Sequence, residues 1–226
     1  MIDWKAIDTV LLDMDGTLLD LHFDNYFWQH FLPARYAERH QIDPEDALRD
    51  LYRRFDEKRD SIEWYCTDYW SRELALDVPA LKREVQHLIA IRPHVREFLA
   101  HLGNMNTRRV LATNAHRHSL EIKLEVTGID LWLDAIVSSH DYGIPKEHGD
   151  FWHRLRQDID FDPERTLFID DNEPMLHSAR SFGIAHVLCI SRPDSTKAPR
   201  TDLEFPAIDT FAEIMHNGAE AASKQG

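Results

Sequence analysis

Five short apolar runs punctuate this chain: Thr9–Leu12 (TVLL), Arg109–Ala112 (RVLA), Ala135–Val137 (AIV), Thr166–Ile169 (TLFI) and His186–Ile190 (HVLCI). Each is too short for a buried helix and is bounded by polar turn residues, so each reads as a strand. Runs without polar alternation belong to strands covered on both faces. Most are separated by stretches of helical period, such as Val95, Phe98, Leu99 and Leu102, or Met175, Leu176, Ala179 and Phe182. That alternation predicts a parallel sheet wrapped by helices, a doubly wound α/β core.

One interval breaks the rhythm. Residues 20–92 carry no strand pattern but several helical ones with recognisable starts. Asp43-Pro44 is an N-cap followed by proline, leading into Leu48, Leu51, Tyr52 and Phe55. Pro79 opens another, with Leu81, Val85, Leu88 and Ile89 on one face; Ser61 to Leu76 supplies a further helix, and Asp24 to His40 one or two around Pro33. The expected organisation is a core from 1–19 and 93–195 with a helical insert at 20–92. The remainder, 196–226, has Pro199, Pro206 and a polar finish, so a surface segment with a frayed terminus is expected.

Charge narrows the partners. A formal net charge of −14 offers no basic face for a nucleic-acid polymer. A small anionic substrate would need local positive groups or a metal ion. The first ten residues carry Asp3 and Asp8 and no secretory apolar run, and no 18 consecutive residues are apolar, so a cytoplasmic protein without a membrane span is expected. Cys66 and Cys189 form neither a C-x-x-C pair nor a zinc-ligand spacing and read as two buried thiols.

Ligands in an open parallel sheet bind beyond the carboxyl ends of its strands. The residues there are Asp13, Asp15, Gly16 and Thr17 after the first run, Thr113 and Asn114 after the second, Lys146 beyond the third, and Asp170 and Asp171 after the fourth. Carboxylates converging on one crevice repel one another unless protonated or neutralised, and a hard divalent cation with oxygen ligands is the usual solution. Mg²⁺ fits best and bridges naturally to phosphate. A calcium loop with Gly16 at its sixth position would put Leu11 and His22 at the end ligand positions, and neither can serve.

In order and spacing, LLDMDGTL (Leu11–Leu18), Thr113, Lys146 and FIDD (Phe168–Asp171) resemble the four motifs of the haloacid dehalogenase-like phosphatases. The resemblance implies a Rossmann-like core with a helical cap inserted after the first strand. It implies that Asp13 is the nucleophile and an Mg²⁺ ligand. Asp15 would bind Mg²⁺ through its carbonyl and serve as general acid and then base. Thr113 and Lys146 would hold the phosphoryl oxygens, and Asp171, helped by Asp170, would complete the metal site. Met175 departs from the family, many of whose members carry an acidic residue there.

Longer stretches, DMDGTLLDLHFDNYFW (Asp13–Trp28), WYCTDYW (Trp64–Trp70) and TNAHRH (Thr113–His118), are similar to the bacterial GMP/IMP nucleotidases of that superfamily. The substrate expected is therefore a purine nucleoside monophosphate. The insert holds 12 of the chain's 23 aromatic residues, enough to line a lid over a purine or simply to pack the insert itself. Asn25, Tyr26, Tyr65 and Tyr69 are candidates for base contacts, although an asparagine such as Asn25 also suits helix capping. Two alternatives differ in chemistry: a sugar-phosphate phosphatase or phosphomutase, and a phosphate-sensing or partner-binding protein without turnover. The paired Asp13 and Asp15 weigh against the second, since a binder needs neither nucleophile nor acid.

Overall fold

The computed structural model describes residues 2–215. Six strands, β1 (Thr9–Leu12), β2 (Arg108–Thr113), β3 (Ala135–Ser138), β4 (Thr166–Asp170), β5 (His186–Ile190) and β6 (Ala207–Ile208), form one all-parallel sheet in the order β3-β2-β1-β4-β5-β6. The chain winds to one side from β1 through β3 and to the other from β4 onward. The winding reverses between β1 and β4, where the carboxyl ends of an open sheet leave a crevice.

Between β1 and β2 lie only helices: α1 (His22–Tyr26), a π-helical turn (Phe27–Phe31), α2 (Leu32–His40), α3 (Pro44–Lys58), α4 (Ile62–Tyr65), α5 (Thr67–Leu74), α6 (Val78–Glu84), and then α7 (Val95–Asn104). Further on, α8 (Arg117–Thr127) links β2 to β3, α9 (Gly149–Ile159) links β3 to β4, α10 (Glu173–Phe182) links β4 to β5, and α11 (Ala212–Met215) follows β6. The cap read from the sequence at Asp43 is present, accepting from Glu45 N at 2.8 Å ahead of Pro44; the helix that Pro79 opens has a cap the sequence analysis did not name, Asp77, which accepts from Ala80 N at 3.0 Å. The stretch expected as one helix from Ser61 to Leu76 is two. Cys66 is extended there, and its Sγ caps α5 by accepting from Tyr69 N at 3.3 Å.

Because alternate strand residues face opposite ways, the sheet feeds two cores. Val10, Leu12, Leu111, Leu167 and Ile169 pack with Phe98, Leu99 and Leu120, and the same core runs on into Phe27, Leu51 and Trp70 of the helical segment. Leu11, Val110, Ala112 and Phe168 pack instead with Phe151, Trp152 and Leu176 of α9 and α10. Among the described residues no helix is long and apolar enough to cross a membrane.

The segment after residue 195 does more than run over the surface. It adds β6 alongside β5, buries Phe211 completely and stacks that ring on Phe98 at 4.6 Å. Arg92 secures it by donating to the carbonyls of Arg192 and Asp209. Pro199 and Pro206 hide this in the sequence, because a two-residue edge strand next to a proline has no periodicity to read. The frayed terminus expected beyond residue 215 lies outside the described residues.

Phe211→Ala is expected to cost about 3–5 kcal/mol, as for other buried aromatic truncations. Urea unfolding measures it; a loss near zero would mean that the C-terminal segment does not share the core.

Candidate active site

Asp13 continues the ladder of β1, its N–H donating to Ile169 O at 3.0 Å, which sets it level with Asp170 at the end of β4. The chain then closes on itself. Met14 O accepts from Thr17, Leu18 and Leu19 N, and Gly16 N donates to Leu19 O at 2.8 Å. Gly16 has φ +86°, and a Cβ there would stand 2.7–2.9 Å from the Asp171 carboxyl group. Only glycine suits both the turn and the close approach.

Three lysines are buried among the acids. Lys146 Nζ donates to Asp13 Oδ1 at 2.5 Å, to Asp170 Oδ2 at 2.7 Å and to Ala112 O at 3.0 Å. Lys123 Nζ lies 2.6 Å from Asp15 Oδ1, an ion pair rather than an aligned hydrogen bond, and donates to Asp24 Oδ2 at 2.7 Å. Lys82 Nζ donates to Asp24 Oδ1 at 2.8 Å. Asp171 has no salt-bridge partner among the described residues.

These surroundings set the proton affinities. Burial pushes Asp13 up to about 6, against the pull of Lys146. Burial, with the Asp24 charge next, pushes Asp15 up to about 6, against Lys123. Asp24 goes the other way: burial opposes it, but the two ammonium groups hold it down at about 2. Burial and the charges of Asp170 and Asp13 raise Asp171 well above the carboxylate range, and burial raises Asp170. For Lys146, burial is outweighed by Asp13 and Asp170, which raise it.

Carboxylate oxygens of Asp13, Asp170 and Asp171 lie within 4.8 Å of one another. An all-oxygen set with an unpaired carboxylate suits a hard divalent cation, so the residues fit Mg²⁺.

A cavity of about 370 Å³ opens here, and it brings together Asp13, Asp15, Asn25, Tyr65, Thr113, Asn114, Lys146, Asp170 and Asp171. The side chains are not equally free to meet a ligand. Thr113 Oγ1 accepts from Ala115 N at 3.0 Å, leaving its hydroxyl proton to donate. Asn114 donates to Glu147 Oε2 at 2.9 Å and accepts from Lys146 N at 3.0 Å, so it orients Lys146. Tyr65 OH donates to Glu147 Oε1 at 2.6 Å. Asn25 lies inside α1 and caps no helix; its amide donates to Asp194 Oδ2 at 2.7 Å. Tyr26 and Tyr69 do not line the cavity. Its aromatic wall is Trp28, Tyr52, Phe55, Trp64, Tyr65 and Trp70, and Met175 also faces it.

Sequence reading missed Asp24, Lys82, Lys123 and Glu147. Two left a trace: Lys82 shares the buried face of α6 with Val78, and Lys123 that of α8 with Leu120 and Thr127. A lysine on a helix's core face has to find a partner.

A family model described as haloacid dehalogenase-like hydrolase matches residues 7–183. The GMP/IMP nucleotidase YrfG of Escherichia coli (strain K12) is 40% identical over 214 residues, covering 95% of this chain and 96% of that protein. The pyrophosphatase PpaX of Oceanobacillus iheyensis is 26% identical over 173 residues, 74% of this chain and 76% of that protein. Among solved structures, a HAD phosphatase from Thermococcus onnurineus superposes with a TM-score of 0.77 at 19% identity, covering 92% of this chain and 96% of that one. That last likeness is one of fold.

The raised carboxyls tie stability to pH. A carboxyl that holds its proton more tightly when folded favours folding fully only below the ordinary carboxylate range; for Asp13 and Asp15 the benefit is lost as pH rises through about 6. Asp171, raised by burial and by the charges of Asp170 and Asp13, follows the same sign. Metal-free Asp171→Asn should therefore melt a few degrees above the metal-free parent at neutral pH, the shift roughly 1 kcal/mol brings at this length. The gap should close in mild acid. Calorimetry at both pH values checks this, and a less stable variant at neutral pH would contradict it.

Proposed function

The chain belongs to the haloacid dehalogenase-like hydrolases, and from that premise we propose that it hydrolyses the purine nucleoside 5′-monophosphates GMP and IMP, with Mg²⁺ and through a phosphoryl group carried by Asp13. The observation that carries this reading is Lys146 bridging Asp13 and Asp170 beside an unpaired Asp171, at the base of an aromatic-walled cavity. The YrfG relative's name supports the substrate.

The carboxylates of Asp13, Asp170 and Asp171, with the carbonyl of Asp15, would hold Mg²⁺, which when bound supplies positive charge against the phosphate oxygens. Lys146 adds a fixed positive charge, and Thr113 donates its hydroxyl to a phosphoryl oxygen. Asp13 attacks phosphorus as the bond to the nucleoside oxygen breaks, and Asp15 gives that oxygen its proton. Asp15, now ionised, takes a proton from water; the water oxygen attacks phosphorus, releasing phosphate and restoring Asp13. An acid near 6 suits both halves of that cycle; burial and then the Asp24 charge raise Asp15 to that value, against the pull of Lys123. The helical segment serves as the cap: Lys82 and Asp24 link it to Lys123 on the core, and its aromatic wall stacks on the base.

Phosphate release from a nucleotide and sugar-phosphate panel tests the reading. GMP and IMP should lead in kcat/KM, EDTA should abolish turnover and Mg²⁺ restore it, and Asp13→Asn should be inactive yet folded. Trp64→Ala should lower kcat/KM for GMP by about 10- to 100-fold, the worth of one stacking partner, while sparing a small aryl phosphate. A flat profile across the panel would leave a phosphatase of other specificity.

The pH profile isolates Lys123. Because Lys123 pulls the Asp15 proton affinity down, Lys123→Met should move the alkaline limb of kcat to higher pH. An unmoved or lowered limb would remove Asp15 as the acid tuned by this lysine.

A further inference from the structure

Where the helical segment meets α8, three side chains that the proposed reaction leaves without a role converge. Cys66 sits between α4 and α5, His116 just before α8, and His140 in the turn after β3. One ligand atom from each, Cys66 Sγ and a ring nitrogen of each histidine, lies within 4.8 Å of the other two. The imidazoles meet edge-on with centroids 4.7 Å apart. His140 Nε2 is buried with no hydrogen-bond partner among the described residues, an arrangement that needs a reason in a folded protein.

The surroundings resemble the shell of a metal site. Thr67 Oγ1 lies 2.8 Å from His116 Nδ1 and fixes that ring, as outer partners do for ligating histidines. The Asp68 carboxylate stands 3.8 Å from His116 Nε2 and 3.1 Å from His118 Nδ1, within reach of the cluster. Burial pushes His140 down to about 4 and lowers His116, so both imidazoles are neutral near pH 7 and present a lone pair. Cys66, read from sequence as a buried thiol, is half-buried and in no disulfide, its Sγ accepting only from Tyr69 N, whereas Cys189 is buried.

The geometry points to a second metal site in this chain, taking Zn²⁺ or a similarly borderline-soft divalent cation through Cys66, His116 and His140, with Asp68 placed as a fourth ligand. A thiolate with two imidazoles is a zinc donor set and suits Mg²⁺ poorly, so this site and the carboxylate cluster select different ions. With Zn–S near 2.3 Å and Zn–N near 2.0–2.1 Å, tetrahedral ligand atoms stand roughly 3.5 Å apart. The cluster therefore closes with side-chain shifts of about an ångström. Cys66 and Asp68 come from the helical segment, and His116 and His140 from the sheet's loops. The ion would tie the two together, whatever the substrate.

Cobalt separates the two sites, because thiolate and imidazole ligands in a tetrahedral site give intense visible bands and a thiolate-to-metal charge-transfer band that an all-oxygen site lacks. Metal-free full-length protein titrated with Co²⁺ should develop those bands to one equivalent and lose them to Zn²⁺. Asp171→Asn should keep them. Cys66→Ser should lose the charge-transfer band, and His140→Gln should weaken Zn²⁺ at least about tenfold, the lower bound for losing even an outer partner. Circular dichroism checks that each variant is folded. The site is overturned by a parent spectrum without the thiolate band, by a band that survives Cys66→Ser and disappears in Cys189→Ser, or by cobalt that depends on Asp68 and His118 but not on Cys66.

Discussion

Buried charge that must be balanced is the constraint on which the rest of this molecule depends. Asp13, Asp15, Asp24, Asp170 and Asp171 converge where β1 and β4 end, and Lys82, Lys123 and Lys146 are the ammonium groups buried among them. When all are ionised, the carboxylates are in excess. Burying an unpaired charge costs several kcal/mol, so the excess has to be met by protons or by a cation. The raised proton affinities of Asp13, Asp15 and Asp171 are the first solution, and a divalent ion at the same oxygens is the second. A site of this kind weakens the fold in order to hold its ligand.

The same balance links the helical segment to the core. Asp24 comes from α1, Lys82 from α6 and Lys123 from α8, and both lysines are almost wholly buried on one carboxylate. Lys123 also faces Asp15. A charge on the helical segment therefore bears on the proton affinity of an acid in the crevice through one side chain. The ammonium of Lys82 lies about 5 Å from the ring centres of Phe23, Phe27 and Trp28, so its desolvation is offset by π faces as well as by Asp24.

Around this centre the backbone does the positioning. The loop after β1 is closed by four N–H groups and brings Gly16 against Asp171. Asn114 and Tyr65 share Glu147, and Asn114 also accepts from the Lys146 backbone, so the rim of the cavity is tied to the lysine at its base. Arg200, from the C-terminal segment, donates to Asp171 O at 2.6 Å. That segment thus braces a site acid as well as completing the sheet.

The sequence alone determined what is local. A run such as Thr9–Leu12 has one way to be buried on both faces, a strand inside a parallel sheet, and its end then places Asp13 in the crevice; the same logic located Thr113, Asp170 and Asp171. Tertiary structure decided what depends on long-range meeting. The partners of Asp15 and Asp24 are residues of α6 and α8, the aromatic wall is chosen by how the helices pack rather than by how many aromatics they carry, and Cys66 meets His116 and His140 across distant stretches of chain. The sixth strand is two residues beside a proline, and only the neighbouring β5 gives it a ladder to join. Periodicity reports which face of an element is buried; which side chain lies opposite is known only once the elements have packed.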